Sequence, residues 1–165
     1  MLKTSTLLRL ETQLDVIPLL LRGATNDSIM ARTPTGQWSP HENLAHLARH
    51  HAVFLDRMRR IISEDAPELG RYRAEEDPAW TEWSSLSTGE VISRLRTLRA
   101  EIVQLIKGLS DVEAERVGIH PLFGQMDLGH WVEFFLLHEA HHLYKMMIGL
   151  GEANRAAMTE KSPYF

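Results

Sequence analysis

The sequence predicts an all-α fold, a four-helix up-down bundle with a long loop between its second and third helices. Apolar residues recur at spacings of three and four along four segments, which is the period of an amphipathic helix. Two of these segments begin with a capping box, and no segment shows a convincing strand pattern. The chain has 165 residues, of which 44% are hydrophobic, enough for one domain with its own core. We therefore predict a single domain over residues 1–165.

The first predicted helix carries leucine and isoleucine at alternating steps of three and four between Leu7 and Leu21. This spacing places the apolar side chains on one face of a helix. Pro18 lies inside the pattern and lacks a backbone N–H, so we expect it to kink or split the helix. A polar connection over about residues 25–35 follows.

The second predicted helix has a clear start at residues 39–42, Ser-Pro-His-Glu. Serine and glutamate at this spacing form a capping box, and proline is favoured at the first helical position. Large side chains then step by three or four from Leu44 to Ile61, so the helix should end near Ser63.

Residues 64–85 interrupt the helical period with two prolines and a glycine, and they are rich in acidic side chains. They also contain Trp80 and Trp83, which a fully solvated loop would not favour. We predict a long ordered loop whose tryptophans dock on the bundle. A connection of this length can also serve as the long crossover of a bundle.

The third predicted helix begins with a second capping box, Ser-Thr-Gly-Glu at residues 87–90, and Gly108 is a plausible stop. Residues 110–116 add at most a short helical turn. The fourth predicted helix runs from about Asp127 to about Gly149, and residues 152–165 form a weakly patterned tail.

Composition and charge exclude several classes of function. The formal net charge of −4 argues against a nucleic-acid partner, which needs a basic face. The chain has no cysteine, so disulfides, thiolate nucleophiles and cysteine-ligated metals are excluded. No apolar run approaches the roughly 20 residues of a membrane span, and no cleavable signal is recognisable. We therefore expect a cytoplasmic protein with no membrane partner.

The chemistry of this chain centres on its histidines, of which there are nine. His138 and His142 are four apart on the fourth helix and therefore lie one turn apart on one face. His46 and His50 have the same spacing on the second helix. Two such faces in one small bundle indicate a three-histidine metal site, which leaves coordination positions open for catalysis. Periodicity alone favours His50 over His46 as the inward-facing residue.

Other residues could complete such a site. Glu139 and His50 are the candidate catalytic residues, in the role of moving protons. The aromatic residues that could wall the pocket, with core packing as the alternative, are Trp80, Trp83, Trp131 and Phe135.

Residues 138–142, His-Glu-Ala-His-His, also match the HExxH pattern of zinc peptidases. That short pattern has many chance matches. Its extended form requires glycine and histidine where this chain has Lys145 and Ile148. A zinc peptidase is therefore the less favoured alternative.

Three motifs in this order resemble the DinB-like family. Residues 38–47, WSPHENLAHL, resemble its second-helix signature, and residues 120–142, with His-Pro, Gly, Trp and the final histidines, resemble its last-helix segment. Residues 72–82 resemble the loop of a branch described as metal-dependent hydrolases and bacillithiol S-transferases. The resemblance spans about residues 38–148.

The resemblance implies a four-helix bundle, often a homodimer, with a divalent metal held by His46, His138 and His142. Zinc and nickel both suit three imidazoles. It also implies a metal-dependent enzyme, a thiol S-transferase or hydrolase that acts on a small electrophilic molecule, with a low-molecular-weight thiol as a possible co-substrate. The alternative is a non-catalytic bundle, used for dimerisation or ligand sequestration, whose metal is structural or absent.

Overall fold

The computed structural model describes residues 2–33 and 35–160, without the side chains of residues 154 and 157–160. Short 3₁₀ turns cover Gln13–Val16 and Ala74–Glu76. The helices are α1 (Thr4–Thr12), α2 (Ile17–Leu20), α3 (Asn26–Met30), α4 (Pro40–Ser63), α5 (Trp80–Ser85), α6 (Thr88–Lys107), α7 (Asp111–Ala114) and α8 (Leu128–Glu160). The strands are β1 (Val117–His120) and β2 (Gly124–Asp127).

Both predicted capping boxes are present and set the starts of the two longest central helices. At the start of α4, the Ser39 hydroxyl accepts from the Glu42 N–H at 3.1 Å, and the Glu42 carboxylate accepts from the Ser39 N–H at 2.8 Å. Ser87 and Glu90 repeat this arrangement at the start of α6. Each cap is worth about 1 kcal/mol because it satisfies backbone donors that have no partner within the helix.

The first helical arm is split, as the position of Pro18 predicts. The chain leaves α1 through the 3₁₀ turn Gln13–Val16 and enters α2 with Pro18 in its first turn. Proline is tolerated there because the N–H of a first-turn residue has no partner within the helix.

The long connection between α4 and α6 is the crossover of the bundle. It runs back along α4: Arg57 donates to the Gly70 carbonyl at 2.5 Å, and Arg49 binds Asp77 at 2.6 Å. His41, at the start of α4, bonds the Ser84 carbonyl at 3.1 Å. The chain therefore enters α6 beside the start of α4, and the two helices run parallel. The predicted four-helix bundle is confirmed, in the version with a long crossover.

The prediction of no strand is wrong for residues 117–127. β1 and β2 form an antiparallel hairpin, and backbone bonds of 2.9 Å join Ile119 to Pro67 and Leu69 in the crossover. Gly118 permits this close packing, since a Cβ there would lie 2.8 Å from Cγ1 of Ile61. The strands are four residues long and contain glycine, so they carry too little alternation to be recognised.

The fourth main helix, α8, is longer than predicted. It continues beyond Gly149 to Glu160, through part of the segment expected to be a weakly patterned tail. Residues 161–165 of that tail lie outside the described part of the chain. Among the described residues, no helix is long and apolar enough to cross a membrane.

The core has two apolar clusters with a polar layer between them. One cluster, around Phe54, Ile61 and Trp131, lies toward the hairpin. The other, around Leu44 and Leu143, lies toward the start of α4, where Trp80 and Trp83 of the crossover dock as predicted. On α4, α6 and α8, buried polar residues separate the part of the helix that belongs to one cluster from the part that belongs to the other. These residues are His50, His51, Arg99 and Glu139.

Candidate metal centre

Three histidines from two antiparallel helices come together beside the polar layer. His46 lies on α4, and His138 and His142 lie one turn apart on α8. One ring nitrogen from each lies within 4.8 Å of the others, which makes this a group that could hold a metal ion. The Nε2 atoms of His46 and His138 are 3.1 Å apart. Among the described residues, no other cluster of histidine and carboxylate side chains has this geometry.

The packing of α4 explains why His46 belongs to this group. α4 packs against α6 on one side and α8 on another, and the crossover covers a third. His46 is 5% exposed although it lies away from the main apolar stripe of the helix. Gly149, which has no side chain, lets α8 approach the start of α4 closely, since a Cβ there would lie 3.3 Å from Cγ of Pro40.

His50 lies beside the group rather than in it. Its imidazole is 4.1 Å from that of His138 and 5.9 Å from that of His46, measured between ring centroids. Burial, followed by the neighbouring His138, lowers its pKa well below the usual value, so its imidazole is neutral. The structure thus places the predicted His50 beside the candidate metal centre.

Asn43 orients His142. The Oδ1 of Asn43 accepts from Nδ1 of His142 at 2.9 Å. The amide of Asn43 is itself fixed, because its Nδ2 donates to the carbonyls of Trp38 and Ser39 at 3.2 and 2.9 Å. With Nδ1 committed as a donor, Nε2 of His142 keeps its lone pair for a ligand. Asn43 was not predicted, although it lies in the same helical turn as His46.

All three imidazoles are neutral at physiological pH. Burial is the main cause, and it lowers the pKa of His46, His138 and His142 to about 3 in each case. A metal requires the neutral form of a histidine ligand. The buried Nδ1 atoms of His46 and His138 have no hydrogen-bond partner among the described residues, which is unusual for buried polar atoms. The donor set therefore fits a divalent cation.

Aromatic side chains close one side of the centre. The Trp38 ring lies 5.1 Å from that of His46, Tyr72 lies 5.6 Å from His46, and Trp80 stacks on Trp38 at 5.1 Å. Burial, followed by the nearby Asp77 carboxylate, raises the pKa of the Tyr72 phenol, so it remains protonated. The crossover therefore supplies two of the three aromatic walls.

Of the four aromatic residues predicted to wall the pocket, Trp80 does so directly. Phe135 stacks on His50 at 5.9 Å and on Phe54 at 4.1 Å, so it forms the floor beneath the centre. Trp83 instead packs under Arg94 at 5.1 Å. Trp131 is fully buried in the core beside the hairpin. Trp38 was missed as a wall because it lies just before α4, outside any helical period.

Glu139 faces away from the three histidines. Its carboxylate accepts hydrogen bonds from the Arg99 guanidinium and, at 2.9 Å, from Nε2 of Gln13. Nε2 of His51 lies 3.2 Å from the same carboxylate. Burial alone would raise the pKa of Glu139, but His51 and Arg99 hold it below the usual value. The HExxH hypothesis needs this carboxylate beside the metal, and the structure does not bring it there. A catalytic role for Glu139 stays a prediction.

Cavities open on the surface of the described part of the bundle. A cavity of about 350 Å³ opens against His142, between α8 and the segment that precedes α4. A larger one, of about 540 Å³, lies at the opposite end, against Leu109, Gly129 and His130. Of the three grouped histidines, His142 lines the smaller cavity, together with Trp38 and Asn43.

Four main helices, with three neutral histidines beneath an aromatic wall, define a four-helix-bundle protein with a candidate metal centre. The profile of the DinB superfamily matches residues 9–146. The chain therefore belongs to the DinB superfamily, which confirms the resemblance seen in its motifs.

Three relatives place the chain further. In an alignment of 137 residues that covers 79% of this chain and 78% of the relative, it is 25% identical to "Putative metal-dependent hydrolase OB0782" of Oceanobacillus iheyensis. The chain also superposes on YfiT from Bacillus subtilis, which is described as a probable metal-dependent hydrolase with an unusual four-helix bundle topology. The TM-score is 0.74 and the sequence identity is 18%, and the superposition covers 93% of this chain and 86% of YfiT. For the four-helix bundle protein TT2238 the TM-score is 0.64, with 24% identity and coverage of 87% and 97%. These structural likenesses establish the fold alone.

Proposed function

We propose that this protein is a divalent-metal-dependent enzyme in which His46, His138 and His142 hold the metal, and that it acts on a small electrophilic molecule. The observation that carries the proposal is the group of three neutral imidazoles, each with one ring nitrogen within 4.8 Å of the others, and with the Nε2 atoms of His46 and His138 3.1 Å apart. Its position against a cavity favours an open, catalytic centre over a closed, structural one.

Zinc and nickel are the metals that this donor set suits best. When bound, such a cation would act as a Lewis acid and lower the pKa of a thiol or of water, which supplies a nucleophile near neutral pH. A low-molecular-weight thiol as co-substrate gives S-transfer, and water gives hydrolysis. The name of the Oceanobacillus relative supports metal-dependent chemistry in this superfamily.

The remaining residues of the centre have separate roles in this proposal. Asn43 holds the His142 ring in a single tautomer. Trp38, Tyr72 and Trp80 exclude water from one side, which strengthens electrostatic interactions at the centre. His50, adjacent to His138, is the candidate to move a proton of the incoming nucleophile.

Metal content tests the proposal first. Untagged protein, reconstituted with zinc or nickel and dialysed, should contain about one metal per chain by elemental analysis, since one three-histidine site is proposed. His46→Ala, His138→Ala and His142→Ala should each lose that metal while circular dichroism stays helical. His130→Ala is the matched control, because His130 is exposed and pairs with Asp127 alone among the described contacts. Full metal content in all three variants would overturn the proposal.

Activity then distinguishes an enzyme from a metal-binding bundle. The metal-loaded protein should accelerate the reaction of small thiols with a chromogenic electrophile, or hydrolyse a chromogenic ester or amide. Either rate should disappear on chelation and in His138→Ala. Stoichiometric metal with no acceleration over a broad substrate panel would favour the non-catalytic alternative.

We further propose that the protein forms a homodimer through α8. Leu137, Tyr144 and Met147 on this helix are large, apolar and more than half exposed, which is the composition of an interface rather than of a solvated face. Light scattering on the wild type should give twice the chain mass. Leu137→Glu combined with Tyr144→Glu should give a helical monomer, whereas an unchanged mass would place the interface elsewhere.

A further inference from the structure

The cavity against the candidate metal centre is lined by aromatic and polar side chains. His142 and Trp38 line it, and the rings of these two residues lie 6.1 Å apart. Gln37 and Lys145 also line it, together with Thr33. A molecule in this cavity would contact one proposed metal ligand, His142, and these polar side chains.

The charge of this cavity is opposite to that of the whole chain. The chain has a formal net charge of −4, and its crossover is acidic. Among the described residues that line the cavity, there is no aspartate or glutamate, and Lys145 is the one with a permanent charge. A positive site within a negative protein attracts small anions by local contact rather than by the field of the whole molecule.

Lys145 is placed to reach into this space. It follows His142 by three residues on α8, so the two side chains leave the helix on the same side. Its Nζ donates to Oε1 of Gln37 at 3.1 Å, which holds the ammonium between the two walls of the cavity. An ammonium has three donors, so two remain for a bound molecule.

We propose that the molecule bound at this centre carries a carboxylate, which Lys145 binds while the reacting end lies at the histidines. This inference rests on the proposed function, because it assigns the specificity of the same site. A single ammonium balances one negative charge, which favours a carboxylate over a doubly charged phosphate. Lys145 is thus a specificity-determining residue, and Gln37 positions it.

Paired thiol probes test this assignment without any turnover. The protein is loaded with Co²⁺, and the thiolate-to-cobalt absorption reports binding of mercaptoacetate and 3-mercaptopropionate, each compared with its neutral amide. In the wild type the acids should bind about tenfold more tightly than the amides, the effect of one charge-assisted hydrogen bond. Lys145→Met and Lys145→Gln should bind acids and amides equally. The control, Lys107→Met, removes an exposed lysine at the end of α6 that pairs with Glu11. This variant should retain the wild-type ratio.

The outcomes separate this inference from the proposed function. Equal binding of acid and amide by cobalt-loaded wild type would overturn the role of Lys145 and leave the metal centre intact. The same result follows if both Lys145 variants keep the tenfold ratio, because Lys145 would then be only a tether to Gln37. A protein that takes up no cobalt would overturn the metal centre itself, and the inference with it.

Discussion

Two polar clusters lie side by side in this bundle and differ in whether the chain completes them. In the first, which we call the buried network, Glu139, Arg99, His51 and Gln13 bond to one another, and Arg99 also donates to the Leu10 carbonyl at 2.6 Å. In the second, the candidate metal centre, Nε2 of His46 and Nε2 of His138 face each other at 3.1 Å. Two imidazole nitrogens in contact can form one hydrogen bond at most, whereas a cation would accept the lone pairs of both, so this is the cluster that a ligand would complete.

The comparison also separates two adjacent residues. His138 and Glu139 are neighbours on α8, but successive residues of a helix point about 100° apart. One therefore faces the metal centre and the other faces the buried network. We expect changes at Glu139 to act on stability, and changes at His138 to act on metal binding.

The largest expected effect is on the buried network. Glu139→Ala should lower the free energy of unfolding by about 3–5 kcal/mol, because it leaves the Arg99 guanidinium buried without its counter-charge. Urea unfolding of the metal-free protein measures this change. Glu101→Ala is the control, since its ion pair with Arg59 is exposed on both sides and should contribute less than about 1 kcal/mol.

A conservative variant decides whether Glu139 also moves protons. Glu139→Gln keeps the shape and much of the hydrogen bonding of the carboxylate. If the role of Glu139 is structural, the folded Glu139→Gln protein should keep its metal content and the pH profile of its reaction. A rate loss of a hundredfold or more with unchanged metal content would instead identify Glu139 as a general base.

The candidate metal centre should affect stability in the opposite direction, because a bound metal raises the free energy of unfolding. Zinc at a free concentration of 100 times its Kd should raise the free energy of unfolding by about 2.7 kcal/mol, because it binds the folded chain alone. The stabilisation should vanish in His138→Ala and persist in a Glu139→Gln protein. Thermal or urea unfolding with zinc and with a chelator measures it. Equal stabilisation of wild type and His138→Ala would show that zinc binds elsewhere.

Asn43 should have a smaller effect that is confined to the metal centre. Asn43→Leu removes the acceptor that fixes His142, and such partners of ligand histidines are typically worth 10–100-fold in metal affinity. Competition with a chromophoric chelator measures the change. Asn26→Leu is the matched control, since Asn26 is exposed on α3 and away from the centre. An unchanged affinity in Asn43→Leu would mean that the hydrogen bond from His142 to Asn43 does not control metal binding.

The sequence predicts most of the fold because its signals are local. Each capping box involves residues three apart, and the splitting effect of Pro18 depends on its own ring. The hairpin escapes prediction because it is stabilised from outside, by backbone bonds to Pro67 and Leu69 in the crossover. No short-range pattern in residues 117–127 records those partners.

The site is predictable to a different degree. The spacing of His138 and His142 identifies one helix face, which the structure places at the centre. The choice between His46 and His50 is not decided by periodicity, because α4 is buried on several sides rather than along one stripe. The environment of Glu139 depends on Arg99 in α6, and nothing in the sequence near either residue indicates that contact.

The smallest expected effect concerns how the crossover is held over the metal centre. Asp77 accepts from Arg49 at 2.6 Å and from the Ala79 N–H at 3.0 Å. Burial would raise the pKa of Asp77, but these bonds lower it below its usual value. A carboxylate with a lowered pKa stabilises the folded state above its unfolded pKa of about 3.9, and the contribution is lost as the pH falls.

Arg49→Met should therefore be less stable than the wild type by about 0.5–1 kcal/mol at pH 7, the range for a partly exposed ion pair. The difference should shrink as the pH falls through the lowered pKa of folded Asp77, because the carboxylate that pairs with Arg49 is then protonated. Urea unfolding at a series of pH values measures it, with Arg73→Met as the control for an exposed pair in the same crossover. A difference that stays constant down to pH 3 would mean that Arg49 stabilises the crossover by packing rather than by charge.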